Sequence, residues 1–61
     1  MESGSTFTVI REEGILKKGM TFSFLANEGD FIYLWAHKPI HGLNQIKFDK
    51  DVIKRNFKIT Y

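Results

Sequence analysis

The feature that most constrains the fold of this chain is the run of residues 31–37, which reads Phe-Ile-Tyr-Leu-Trp-Ala-His. Successive side chains of a β-strand point to opposite faces of the sheet. The aromatic set is therefore Phe31, Tyr33 and Trp35, and the aliphatic set is Ile32, Leu34 and Ala36. Both faces are apolar, yet a chain of 61 residues has little material with which to cover both. The run predicts a strand with one face in the core and the other available to a partner.

Alternation alone leaves open which face of this strand is buried. The aliphatic set fits a tight interior better, because Phe22 and Phe24 on the preceding segment already supply bulk there. We therefore predict that the aromatic set points outward, where Tyr and Trp are suited to anchoring a protein partner. In the opposite arrangement the aromatic set forms the core, with the aliphatic set under a loop or a terminus. In a third, the aromatic face is buried in a homodimer.

Composition limits the classes to which the chain can belong. A length of 61 residues with 43% hydrophobic content predicts one small domain, over residues 6–61. There is no cysteine, so disulfides and thiolate metal sites are excluded and a reducing, cytoplasmic compartment is expected. No apolar run approaches the roughly 18 residues that would indicate a membrane span. Residues 1–5 lack the pattern of a signal peptide and are expected to form a flexible tail.

The rest of the chain predicts an all-β fold of short hairpin-connected strands. β-Branched and aromatic residues with alternating polarity predict strands at 6–11, 21–26, 31–37, 44–48 and 58–61. In the second strand, alternation places Met20, Phe22, Phe24 and Ala26 on one side. Turns are expected at 27–30 and at 38–42, since Pro39 cannot donate to a ladder. The order predicts a small closed or nearly closed barrel.

A helical segment is expected before the last strand. Asp49 is placed to cap it, and it would extend to Asn56 or comprise a single turn, because eight residues do not hold a helix without tertiary contacts. Val52, Ile53 and Phe57 would then point inward.

Three stretches of the chain resemble the Src-homology type of barrel (SH3-like). Residues 15–25, with Lys17-Lys18-Gly19 followed by alternating apolar residues, look like the diverging turn and second strand of that family. Residues 27–31 look like the loop that leads into its third strand, and residues 49–60 look like its short helical turn and closing strand. The resemblance covers residues 15–60 and implies a five-stranded SH3-like barrel.

The chain departs from that family where the family binds proline-rich peptides. The long acidic first loop is reduced to residues 12–14, and Phe7 and Val9 stand where the first strand carries tyrosines. Phe31 stands where the tryptophan of the groove would be expected, and the only proline is Pro39. A groove of stacked aromatics for Pro-x-x-Pro segments is therefore not expected. Fold alone does not choose among the functions of such barrels.

Basic residues are concentrated toward the end of the chain. Although the net charge is only +2, residues 43–61 hold Lys47, Lys50, Lys54, Arg55 and Lys58 against two acids, Asp49 and Asp51. These cations could neutralise phosphates beside stacking aromatics. They could equally be the solvated face of a helical turn and a protected strand edge. The interleaved acids favour the second interpretation, because a nucleic-acid footprint is usually a patch of one sign.

Residues that could carry chemistry are few. His37 and His41 are four apart, but Pro39 between them breaks any helix on which they could chelate a metal, so polar positions beside a hairpin tip are favoured. Ser3, Ser5 and Ser23 lack a nucleophile elbow, and no pair of carboxylates has a spacing suited to acid–base catalysis. We expect no enzyme, no metal and no cofactor.

The sequence thus predicts a non-enzymatic protein-interaction module. The expected anchors are Phe31, Tyr33 and Trp35, and the expected rim contacts are His37, Lys38 and Tyr61. By analogy, a small domain of this kind suits a bacterial or phage adaptor or inhibitor that binds a host protein. One alternative is a nucleic-acid-binding barrel that uses the five C-terminal basic residues. The other is a structural protein that associates with copies of itself.

Overall fold

The computed structural model describes residues 5–60 and contains one antiparallel sheet and one short helix. The strands are β1 (Thr6–Val9), β2 (Thr21–Glu28), β3 (Phe31–Ile40), β4 (Leu43–Asp49) and β5 (Phe57–Thr60), and helix α1 (Lys50–Asn56) lies between the last two. Their order across the sheet is β4-β3-β2-β1-β5. The predicted all-β class is therefore confirmed. In the described part of the chain, the seven residues of α1 form no apolar helix long enough to cross a bilayer.

The hydrogen-bonded sheet does not close, so the fully closed form of the predicted closed or nearly closed barrel is wrong. β4 and β5 are the two edges of the sheet, and α1 is inserted between them in the chain and packs on both. The gap is spanned by side chains, because the rings of Phe48 at the end of β4 and Phe57 at the start of β5 meet edge to face, with centroids 5.5 Å apart. The two edge strands therefore meet through side chains, with α1 connecting them along the chain.

Phenylalanine rings fill the centre of the core. Phe22 meets Phe48 and Phe57 edge to face, with centroids 5.6 and 5.5 Å away, and Phe7 meets Phe57 at 6.2 Å. Such pairs add about 0.5–1.5 kcal/mol each beyond the area they bury. Val9, Leu16, Ile32, Leu34, Ala36, Ile40 and Ile53 complete the buried cluster. One side of every strand therefore packs on a common aromatic centre.

The helix forms as its sequence predicts. Asp49 is the N-cap, and its Oδ1 accepts a 2.8 Å hydrogen bond from the backbone N–H of Asp51. Ile53 and Phe57 are buried and Val52 is packed against the core, as predicted. Asn56, which the sequence did not single out, is also buried, and its Nδ2 donates to the Arg11 carbonyl at 2.9 Å.

The two main hairpins are tighter than the sequence indicates. The predicted turn at 38–42 is reduced to His41 and Gly42, with φ angles of 51° and 79°. Positive φ at both central positions is the geometry of a two-residue hairpin turn, and glycine adopts it without steric cost. The β2–β3 turn is likewise only two residues long, Gly29 and Asp30.

Strand β3 continues through Pro39, where the sequence predicted a loop. Its pairing with β4 passes from Trp35–Gln45 directly to Ile40–Leu43, so that four residues of β3 face one residue of β4. That residue is Asn44, whose Nδ2 donates to the Ala36 carbonyl at 2.9 Å. Proline is tolerated at this position because an interrupted ladder requires no backbone donor.

Most of the predicted tail and one predicted rim residue, Tyr61, lie outside the described residues. The tail comprises residues 1–5, of which Ser5 alone is described. Ser5 is buried, and its carbonyl accepts a hydrogen bond from the Phe24 N–H at 3.4 Å. Tyr61, a predicted rim contact, is outside the described range.

Candidate functional site: the outer face of the sheet

Strand β3 presents aliphatic side chains to the core and aromatic side chains to the outside. Ile32, Leu34 and Ala36 are buried, whereas the exposed fractions of Phe31 and Trp35 are 39% and 44% and Tyr33 is half-buried. The predicted outward orientation of the aromatic set is therefore confirmed. We call Phe31, Tyr33 and Trp35 the outer aromatic face.

Small and polar neighbours flank the rings of the outer aromatic face. Trp35 lies between Ser23 of β2 and Gln45 of β4, which are its direct partners across the sheet. Residues directly opposite each other in antiparallel strands share a face, with Cβ atoms about 4.5–5.5 Å apart. Since neither neighbour is large and apolar, the indole has no apolar cover from its two direct partners.

Lysine and acidic side chains border the other two rings. Tyr33 pairs with Lys47 on β4, and the Lys47 Nζ lies 4.5 Å from the ring centroid of Phe31. A cation over an aromatic ring contributes about 0.5–1 kcal/mol at an exposed site. Phe31 itself pairs with Glu28 on β2 and with Asp49 on β4. The charged groups thus collect at one end of the face, and Trp35 occupies the uncharged end.

A β-bulge in β2 enlarges the outer apolar surface. The pairing with β3 passes from Phe24–Leu34 to Ala26–Tyr33, so Leu25 is an extra residue in β2. Its exposed fraction is 44%. Regular alternation correctly placed Phe22 and Phe24 against the core but placed Ala26 there as well. That prediction is wrong, because a bulge shifts the side of every later residue of the strand.

His37 continues the row beyond Trp35 but is held by hydroxyl groups. Its Nδ1 lies 2.8 Å from Thr21 Oγ1 and its Nε2 lies 2.7 Å from Ser23 Oγ. A hydroxyl both donates and accepts, so the two can satisfy either tautomer of the ring. Lys38 follows as an exposed residue of β3. Of these two predicted rim residues, His37 therefore lies beside the outer aromatic face, and Lys38 is an exposed neighbour that lines the adjoining groove described below.

The two histidines are not arranged as metal ligands. Both ring nitrogens of His37 are engaged, and His41 lies in the β3–β4 turn. Residues 5–60 contain no group of three His, Asp or Glu side chains placed to hold a metal ion.

The five C-terminal basic residues are distributed over three consecutive elements, β4, α1 and β5. Lys47 is on β4 and Lys58 on β5, the two opposite edges of the sheet, and the other three are on α1. Arg55 Nη2 lies 3.3 Å from Glu13 Oε2, the single ion pair found in the described range. One of the five cations is therefore already paired with a carboxylate of the first loop.

A groove opens where β2 and β3 diverge, beside His37. The register between the two strands ends at Phe22–Ala36, and the chain before β2 turns toward β1, where the Gly19 N–H donates to the Val9 carbonyl at 2.9 Å. The resulting space is about 490 Å³ and is lined by residues 19–22 and 36–40. We call it the β2–β3 groove. The sequence did not predict it, because it depends on the irregular pairing of β3 with both neighbours.

The outer aromatic face and the β2–β3 groove meet at His37 and together make an apolar surface next to an apolar cleft. Surfaces of this kind favour contact with another molecule. Comparison with protein-family models, with curated proteins and with solved structures found no match for this chain.

Proposed function

We propose that this chain is a non-enzymatic interaction module of SH3-like architecture that binds another protein through the outer aromatic face. The observation that carries the proposal is the contrast across β3. Its inner side is sealed within one copy of the chain, while Phe31 and Trp35 on its outer side remain 39% and 44% exposed. An adaptor or an inhibitor would use such a face.

The energetics of the exposed rings support a binding role. None of the three aromatic residues belongs to the buried cluster or packs against it. The exposed part of Phe31 and Trp35, 39% and 44% of each residue, is therefore available for burial by a partner, at about 25 cal/mol per Å². Trp and Tyr are enriched among residues that dominate binding energy, and the polar side chains around Trp35 could form the rim of such an interface.

The order of elements along the chain supports the SH3-like assignment. Five strands in one antiparallel sheet, with a short helix before the last strand, are the elements that the resemblance implies. The short first loop is a departure from that family. The proposed binding surface is accordingly the outer side of β3 and not a groove for proline-rich segments.

Replacement of Trp35 tests the proposal. Binding partners would be captured on the immobilised chain, purified and titrated against the wild type, Trp35→Ala and Leu43→Ala. Leu43 is the matched control, since it is an exposed apolar residue that lies at the β3–β4 turn. Trp35→Ala should weaken binding by about 2 kcal/mol or more, roughly 30-fold, and Leu43→Ala should leave it nearly unchanged. Equal affinities for the wild type and Trp35→Ala would contradict the proposal.

Two further measurements separate the proposal from its alternatives. Sedimentation over a range of concentrations should show a monomer, and a dimer that dissociates when Trp35 is replaced would assign the face to self-association. A single-stranded oligonucleotide should bind weakly or not at all at low salt. Tight binding that falls steeply with salt would instead indicate a nucleic-acid partner.

A further inference from the structure

The β2–β3 groove combines an apolar lining with a cationic rim. Three residues of the hydrophobic core line it, namely Phe22, Ala36 and Ile40, together with Met20 and Pro39. Its volume of about 490 Å³ lies within the range of roughly 300–1,000 Å³ that is typical of ligand clefts. Phe22 and Ala36 are almost fully buried beneath the groove, so its accessible apolar surface comes from Met20, Pro39 and the slightly exposed Ile40.

The surroundings of the groove carry lysines and hardly any acids. Residues 14–27 and 31–48, which include both walls, contain two lysines each and no acidic residue. Lys38 lines the groove, and Lys17 and Lys18 directly precede Gly19 of the opposite wall. The carboxylate of Glu12 approaches this turn but accepts a hydrogen bond from the backbone N–H of Lys18 at 3.4 Å. No ion pair engages these three lysines within the described part of the chain.

The backbone beside the groove can accommodate an extended chain. Past Ala36, β3 has no residue in register with β2, and it regains β4 only at Ile40. An extended segment can lie along such a stretch, but β3 is not an edge strand and Pro39 has no N–H to donate. The pocket for a side chain would therefore supply more of the affinity than backbone hydrogen bonds.

We infer that the β2–β3 groove binds an acidic, extended segment of another protein by taking one of its apolar side chains. The side chain enters between residues 19–22 and 36–40, and the flanking carboxylates lie beside Lys38 and the Lys17–Lys18 turn. This inference rests on the groove and its charges and is independent of the outer aromatic face.

A peptide suits the groove better than a nucleic acid does. The lysines lie at the rim and the lining between them is mainly apolar, which suits one apolar side chain with flanking carboxylates better than a continuous row of phosphates. The two other polar side chains of the lining, Thr21 and His37, already bond each other at 2.8 Å and are not free to read a base edge. An apolar side chain requires neither kind of contact.

Titration with short synthetic peptides, followed by ¹⁵N–¹H NMR, tests the inference. The probe is a blocked pentapeptide with a central leucine and two aspartates on either side. It should shift the amide signals of residues 19–22 and 36–40 saturably at millimolar concentration. Matched peptides with a central glycine, or with lysines in place of the aspartates, should produce no saturable shifts. Equal shifts from the glycine peptide would overturn the inference, because charge alone would then explain the binding.

Charge reversal at the rim of the groove provides a second test of the inference. Lys38→Glu should weaken binding of the leucine peptide by about three- to tenfold at low salt. Lys54→Glu on α1 is the control and should change it less than about twofold. Shifts confined to the outer aromatic face, or saturable binding of oligothymidine in the groove, would also overturn the inference. Trp35→Ala should leave peptide binding intact, so failure here is distinguishable from failure of the proposed function.

Discussion

The two faces of β3 differ in a way that hydrophobicity alone does not predict. The larger, aromatic side chains lie outside, and the smaller Ile32, Leu34 and Ala36 lie inside. The inner side faces a core that is already filled by phenylalanine rings of β2, β4 and β5. Interiors pack to crystal-like density, so space and shape decide which side chain is admitted. The comparison teaches that an exposed aromatic row can result from a full core.

The strongest test of the difference between the two faces is to truncate a side chain of the inner face. Leu34 is fully buried, so Leu34→Ala should lower the free energy of unfolding by about 3 kcal/mol, through lost transfer energy and a residual cavity. Chemical denaturation measures this loss. In a domain of this size it is a large share of the total stability, and a loss below about 1 kcal/mol would show that β3 is not anchored by its inner side.

Asn56, a buried polar residue of α1, provides a second test of the core. Asn56→Ala removes the donor to the Arg11 carbonyl and should cost about 1–2 kcal/mol. Asn56→Asp should cost more than the alanine variant, because it replaces that donor with a buried carboxylate. Thermal or chemical unfolding of the pair gives the order, and the reverse order would mean that this position opens to water.

The outer face should respond weakly to the corresponding truncation. Trp35→Ala should cost only about 1 kcal/mol or less, because almost half of the side chain is already in water. Trp35 is the single tryptophan of the chain, so acrylamide quenching of its fluorescence should be efficient in the native state. A loss as large as that of Leu34→Ala, or a strongly protected indole in a monomer, would remove the distinction between the two faces.

The smallest effect is expected at the exposed ion pair between the first loop and α1. The Glu13 and Arg55 side chains are half exposed and 3.3 Å apart, so a double-mutant cycle with alanine should give a coupling of about 0.5 kcal/mol or less. Added salt should reduce it. A coupling above about 1 kcal/mol would mean that polar contacts at the surface rival packing in this domain.

Several elements of the fold could be predicted from local sequence. The Asp49 cap, the inward side chains of α1 and the strand positions depend on residues near one another in the chain. The outward orientation of Trp35 was also predicted, because the alternation is strict and the neighbouring segment supplies bulky core residues. These signals are local, so one sequence is sufficient to read them.

Other features depend on pairings that no local pattern encodes. No glycine or proline marks the bulge at Leu25 or the burial of Asn56, and Pro39 marks the interrupted stretch of β3 without showing that the strand continues through it. The bonds of His37 to Thr21 and Ser23 follow from the β2–β3 register. Register is fixed by how two distant segments fit together, and a one-residue shift changes the face of every later side chain.

The amino-acid sequence by itself determined the class of the fold, the division of the middle strand into an aromatic and an aliphatic set, and the cap of the helix, whereas the structure decided which set is buried. The tertiary structure decided that the sheet stays open at β4 and β5, that the rings of Phe48 and Phe57 span the gap, and that a groove forms beside His37. The physical reason is the distance along the chain over which each effect acts. Alternation and capping act over a few residues, whereas closure, register and clefts arise from the packing of segments that lie far apart in the chain.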